Sequence, residues 1–123
     1  MRKVLRIEPY EAAFTLTIGD KARDKFFADI GLGPELSAVN GAVYRLGEPN
    51  AAPSFMMFLP ESRDEETLYH EALHLATAIL DHFGVEISHE NDEVMAHLQG
   101  YIVRLVDKAV YKRRRTIKKP AVE

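Results

Sequence analysis

Between Leu68 and Phe83 the apolar residues fall at Leu68, Ala72, Leu75, Ala76, Ile79, Leu80 and Phe83. That spacing of three and four is the mark of a helix with one buried face. Ser62 or Asp64 can cap its start, Glu65 and Glu66 put acid in the first turn where the helix dipole favours it, and Gly84 follows as a stop. Immediately before it, Ser54–Leu59 is a compact apolar run stopped by Pro60, which reads as a strand. An abrupt change from strand to long amphipathic helix requires a sheet and a helix to share one core. With 123 residues there is material for one such core and not for two. The expected fold class is α+β: a short antiparallel or mixed sheet, with this helix packed on a second, C-terminal helix.

The other elements are read the same way. Val4 to Ile18 is rich in β-branched and aromatic residues and is interrupted at Glu8-Pro9-Tyr10, which gives a strand pair or a broken strand. Asp20 is placed to cap a helix from Lys21 to about Ile30, ended by Gly31. Gly33-Pro34 is a loop, Ala42–Leu46 a strand, and Gly47 to Pro53 a turn-rich connection. A second long helix starts near Asn91 or Asp92 and carries Val94, Leu98, Ile102, Leu105 and Val106, fraying near Lys112. Residues 1–107 hold 9 basic and 18 acidic residues, a balance of −9, whereas residues 108–123 hold 7 basic and one acidic residue, a balance of +6. The expected organisation is therefore one domain over 1–107 and a basic tail over 108–123. That tail could hold nucleic acid or an acidic partner, but a solvated terminus is the favoured reading.

No apolar run approaches 18 residues, so no membrane span is expected, and the opening Met1–Glu8 is too soon interrupted by charge for a secretory signal. A cytoplasmic location is the expectation. There is no cysteine, so any metal ligand must be His, Asp or Glu.

Within the long helix lies His70-Glu71-Ala72-Leu73-His74. Residues four apart share a helix face, so His70 and His74 can aim imidazole nitrogens at one ion. Neutral imidazoles suit zinc, and a carboxylate or third imidazole completes the protein ligands. Glu71 lies about 100° round the helix from His70, a poor position for a ligand but within reach of a metal-bound water. A carboxylate there can take the proton of a water whose pKa zinc has lowered, and attack on a peptide carbonyl follows. The bland alternative is a helix with two surface histidines and a solvated glutamate.

A third ligand has several candidates. Position 80, six residues after His74, is Leu80, so a third histidine in the metzincin position is absent. Asp81 lies two turns on, about 10.8 Å of rise from His74, far for direct ligation. His89 and Glu90 would serve if the second helix began earlier, and Glu93 opens that helix, with Ala96 and His97 just behind it. Over about Leu59 to Leu105 this pattern resembles the gluzincins, in which HExxH on one helix is completed by Glu-x-x-Ala and a polar residue on the next. The resemblance implies a zincin-like, minigluzincin-type domain with His70, His74 and Glu93 as zinc ligands and Glu71 as general base. His97 stands where that family usually has an acidic residue holding a zinc-bound histidine. His70 to Asp81 and Glu93 to Tyr101 are also similar to short HExxH proteins of bacteriophage and prophage genomes, which implies a phage-type source and a host cytoplasm.

Further residues carry paired readings. Ser54–Leu59 is either a plain core strand or a sheet-edge strand that pairs with extended substrate. Tyr101 is either a buried structural tyrosine or an oxyanion donor. Gly100 is consistent with close packing on the first helix, Met56 and Met57 with strand core, and His82 with the helix end. Two functional classes follow. The leading expectation is a zinc metallopeptidase acting on a peptide or protein. Its competitor is a non-catalytic phage-type binding or structural protein with a retained structural zinc, a use for which Glu71 is unnecessary.

Overall fold

Proline at position 9 divides the N-terminal β-rich stretch into two strands that fold back on each other. Strand β1 (Arg2–Ile7) pairs antiparallel with β2 (Ala12–Ile18), joined by a single 3-10 turn at Glu8–Tyr10, with Glu11 left-handed at φ 50°. In this computed structural model residues 1–32, 39–47, 54–90 and 92–111 are described. The Gly33-Pro34 loop, most of the Gly47–Pro53 connection and the chain from Lys112 lie outside them. Helix α1 (Asp20–Asp29) follows β2. The capping residue is Gly19 at φ 90°, with no side-chain cap, and Asp20 is already the first helical residue. The expected Asp20 cap is thus displaced by one position, because the sharp exit from β2 needs a positive φ that glycine adopts freely.

Strand β3 (Ala42–Leu46) and β4 (Ser54–Leu59) complete a mixed four-stranded sheet of order β1-β2-β4-β3. Strand β4 runs parallel to β2 and antiparallel to β3. It is therefore interior, and its Phe55 to Leu59 are buried on both faces. An edge position for Ser54–Leu59 is ruled out by this order: β4 precedes the motif helix in sequence, but β3 takes the edge. Met56 and Met57 are fully buried strand core.

One face of the sheet packs Phe26 and Phe27 of α1 on Met56 and Phe58. The other packs Ile7, Phe14, Leu16, Phe55 and Met57 against α2 (Glu65–His82) and α3 (Asp92–Val106). Asp64 holds the N-cap position of α2 in extended conformation; its carboxylate accepts the Thr67 hydroxyl at 2.7 Å and makes no backbone cap. Gly84, at φ 76°, ends the helix as expected.

Helix α3 continues into a π-turn over Asp107–Tyr111. Tyr111 belongs to the core and donates to the Pro60 carbonyl at 2.8 Å, so the packed fold extends past position 107. A two-pronged ion pair, Arg63 Nε to Asp107 Oδ1 at 2.8 Å and Arg63 Nη2 to Oδ2 at 3.0 Å, ties the entry of α2 to the end of α3. A Cβ added at Gly100 would meet only Arg104 of its own helix, at 3.4 Å. Gly100 is therefore no close-packing point against α2, and Thr77 and Gln99 supply the polar contacts between the two helices instead. Among the described residues no helix is long and apolar enough to cross a membrane. The architecture is α+β, as the change of periodicity at Pro60 implied.

Candidate metal centre

Helix α2 buries Leu68, Glu71, Ala72, Leu75, Ala76, Ile79 and Leu80 and leaves His70 and His74 exposed. Two neighbours flank those histidines. On one side α3 approaches: Gln99 Nε2 donates to the Tyr69 carbonyl at 2.9 Å, and the Thr77 hydroxyl meets Met95 Sδ at 3.8 Å. On the other side the chain entering β3 comes down on the helix. A Cβ at Gly41 would lie 2.7 Å from Thr67 Cγ2 and 2.9 Å from Glu71 Cγ. At about 100° per residue, His70 and His74 fall between the Tyr69–Thr77 flank and the Thr67–Glu71 flank. The two histidines therefore lie on the surface of α2 between the flank met by α3 and the flank met by the chain entering β3.

The imidazoles converge. His70 Nε2 and His74 Nε2 are 3.1 Å apart, with the rings edge to face. Two nitrogens at zinc distance on a tetrahedral ion are separated by about 3.4 Å. The pair thus fits two ligand positions with little movement, and without an ion one ring donates to the other. Glu71 stands beside them at 7% exposure and accepts no hydrogen bond from any described residue. Burial pushes its carboxyl up, against the pull of His70 and His74, which favours the charged form. Asn40, Gly41, Asp64, Glu66, Thr67, His70 and Glu71 enclose a cleft of about 310 Å³ at this point. A roomier hollow of about 430 Å³ lies at the other end of α2, against Glu11, His82 and Phe83, and no three potential metal ligands gather there among the described residues.

Glu93 is placed differently. It lies in the first turn of α3 with its side chain 82% exposed, and its Oε1 pairs with His97 Nε2 at 3.3 Å. Met95, two residues on, faces Thr77, so Glu93 points about 200° away from that contact. The structure brings His70, Glu71 and His74 together and does not bring Glu93 to them. Among the described residues no three His, Cys, Asp or Glu side chains are gathered tightly enough to hold a metal ion. Asp81, His89 and Glu90 are exposed, with Glu90 in a turn where its N–H donates to Ser88 Oγ. Tyr101 packs against the core.

Asn40, Gly41, Thr67 and Glu66 were not singled out by the motif. A signal existed for two of them: Thr67 stands four residues before Glu71, on the same helix face, and a glycine opening a strand marks a close backbone approach. No family model, no curated protein and no solved structure matches the chain.

Proposed function

We propose that the protein is a zinc-dependent metallopeptidase of gluzincin type. The observation that carries this reading is Glu71, a largely buried residue whose carboxylate opens on the cleft beside two converging imidazoles, with no hydrogen-bond partner among the described residues. Burying such a group costs stability, and a surface helix with two idle histidines gives no reason to bear that cost. A closed structural zinc site has no use for it either. His70 and His74 would hold the ion by Nε2. Glu93 takes the third position on the strength of its Glu-x-x-Ala setting. Its present partner is His97, and since Glu93 faces away from α2 it would reach the ion only if the first turn of α3 rotated as well as released that weak, exposed pair. Zinc, when bound, supplies an acidified water and a Lewis acid for the carbonyl oxygen. Glu71 accepts the water's proton and, once protonated, can return it to the leaving amine. The outer edge of β3, with Gly41 against the motif helix, is the strand positioned to align an extended peptide.

The test is Glu71→Gln at equal zinc content, assayed on an unbiased peptide library. The amide cannot accept the proton, so cleavage should fall on the order of a thousandfold or more. Equal cleavage by both proteins would mean a contaminant. No cleavage by either would favour the non-catalytic alternative.

A further inference from the structure

We propose that the cleft beside His70 and Glu71 receives a basic peptide segment, one with lysine or arginine adjacent to the bond that is cut. The inference rests on the peptidase reading and adds its substrate class. Of the described residues around the cleft, Asp64, Glu66 and Glu71 are acidic and none is Lys or Arg. Among the described residues no Lys or Arg pairs with them, and Glu71 has only the neighbouring His70 and His74 to favour its charge. Glu71 has no hydrogen-bond or ion-pair partner there although it is 7% exposed, and it faces the cleft. Glu66 makes no ion pair there, and the Asp64 carboxylate accepts only the Thr67 hydroxyl, through Oδ2. The nearest cation along the chain, Arg63, is held by Asp107 at 2.8 Å and by Glu65 at 3.3 Å.

The imbalance is not confined to the rim. From Leu46 to Val103 the chain has 11 acidic residues and one basic residue, Arg63. A cleft lined by one sign of charge concentrates the field and draws in ligands of the other sign. The adjoining hollow, which shares Asn40 with the cleft, is balanced: Asp20 and Glu61 face Lys21 and Arg23. The preference is therefore local to the residues flanking the scissile bond, where Glu66 stands one turn and Asp64 nearly two turns before His70 and Glu71. A lysine or arginine head there would give Glu66 and Asp64 a counter-ion, and its stem would cover Thr67.

Peptide binding to the full-length, zinc-free protein tests this without turnover. Three labelled peptides of one length, alike except for a central pair of lysines, glutamates or alanines, are compared by fluorescence anisotropy at low salt. The lysine peptide should bind roughly tenfold more tightly than the glutamate peptide, a margin that shrinks in 0.5 M salt as screening sets in. Glu66→Lys should remove most of that margin. Glu65→Lys makes the same charge change one residue away, at a side chain paired with Arg63 and outside the cleft, and should keep it. Equal binding of the three peptides, no binding of any, or equal losses in the two variants would overturn the inference. The peptidase reading fails separately, if the charge preference is present but no peptide, basic ones included, is cut in a Glu71-dependent way.

Discussion

Gly41→Ala should destabilise the protein through the motif helix rather than through β3. The new methyl would sit 2.7 Å from Thr67 Cγ2, 2.9 Å from Glu71 Cγ and 3.2 Å from Glu71 Oε2. Gly41 has no positive φ, so the penalty comes from contact and not from backbone strain. Thr67 cannot turn away freely, because its hydroxyl is held by Asp64 at 2.7 Å. Overpacking of this kind costs about 1–3 kcal/mol. For 123 residues, an unfolding entropy of about 2.1 cal/mol/K per residue gives about 0.26 kcal/mol/K. The expected fall in Tm is therefore about 4–12 °C. Thermal unfolding by circular dichroism in chelator measures it. Thr67→Ser removes the clashing methyl and keeps the hydroxyl, so the double variant should recover about a third to a half of the loss, the rest remaining with Glu71. A Gly41→Ala protein that melts within a degree of wild type, or a strictly additive double variant, would refute the close approach of β3 to the motif helix.

Three further outcomes are expected. The Glu71 carboxyl has a folded pKa raised above its unfolded value, so its stabilising contribution is fully present below the unfolded pKa and is lost as pH rises through the folded one. Metal-free Glu71→Gln should accordingly gain stability relative to wild type as pH rises through and above the ordinary glutamate range in urea titrations; a constant difference would contradict the desolvation of that carboxylate. Asp107→Ala leaves Arg63 without its two-pronged partner and should cost about 1–3 kcal/mol in the same titrations, whereas Glu65→Ala, at an exposed pair, should cost under about 0.5 kcal/mol. Glu93→Ala should weaken zinc binding far more than Asp81→Ala or Glu90→Ala, and His97→Ala, which frees Glu93, should not weaken it; loss of zinc with Asp81→Ala alone would remove Glu93 from the site.

Element by element, local chemistry was legible and spatial order was not. The α2 helix could be read from Leu68 to Gly84 because its apolar stripe, acidic first turn and glycine stop agree. Strand β4 could be found but its place in the sheet could not, since sheet order depends on contacts far apart in sequence. Its unbroken run Phe55-Met56-Met57-Phe58-Leu59 did carry a hint: a strand apolar on both faces belongs in the interior. The pairing of His70 with His74 follows from helix geometry alone. Glu93 shows the limit of motif spacing, because which way it faces is set by how Met95, Leu98 and Ile102 seat α3 on the core. The approach of Gly41 to Thr67 and Glu71 depends on where the edge strand lies relative to α2, and no local pattern encodes that.

The most direct test of the metal centre is the zinc content of protein purified without added metal and without a metal-chelating column, measured by elemental analysis against chain concentration. Close to one zinc per chain is expected in the wild type and in Glu71→Gln, with nearly none in His70→Ala or His74→Ala. A wild-type protein that arrives without zinc and takes up none when it is offered would contradict the reading of His70-Glu71-Ala72-Leu73-His74 as a metal site.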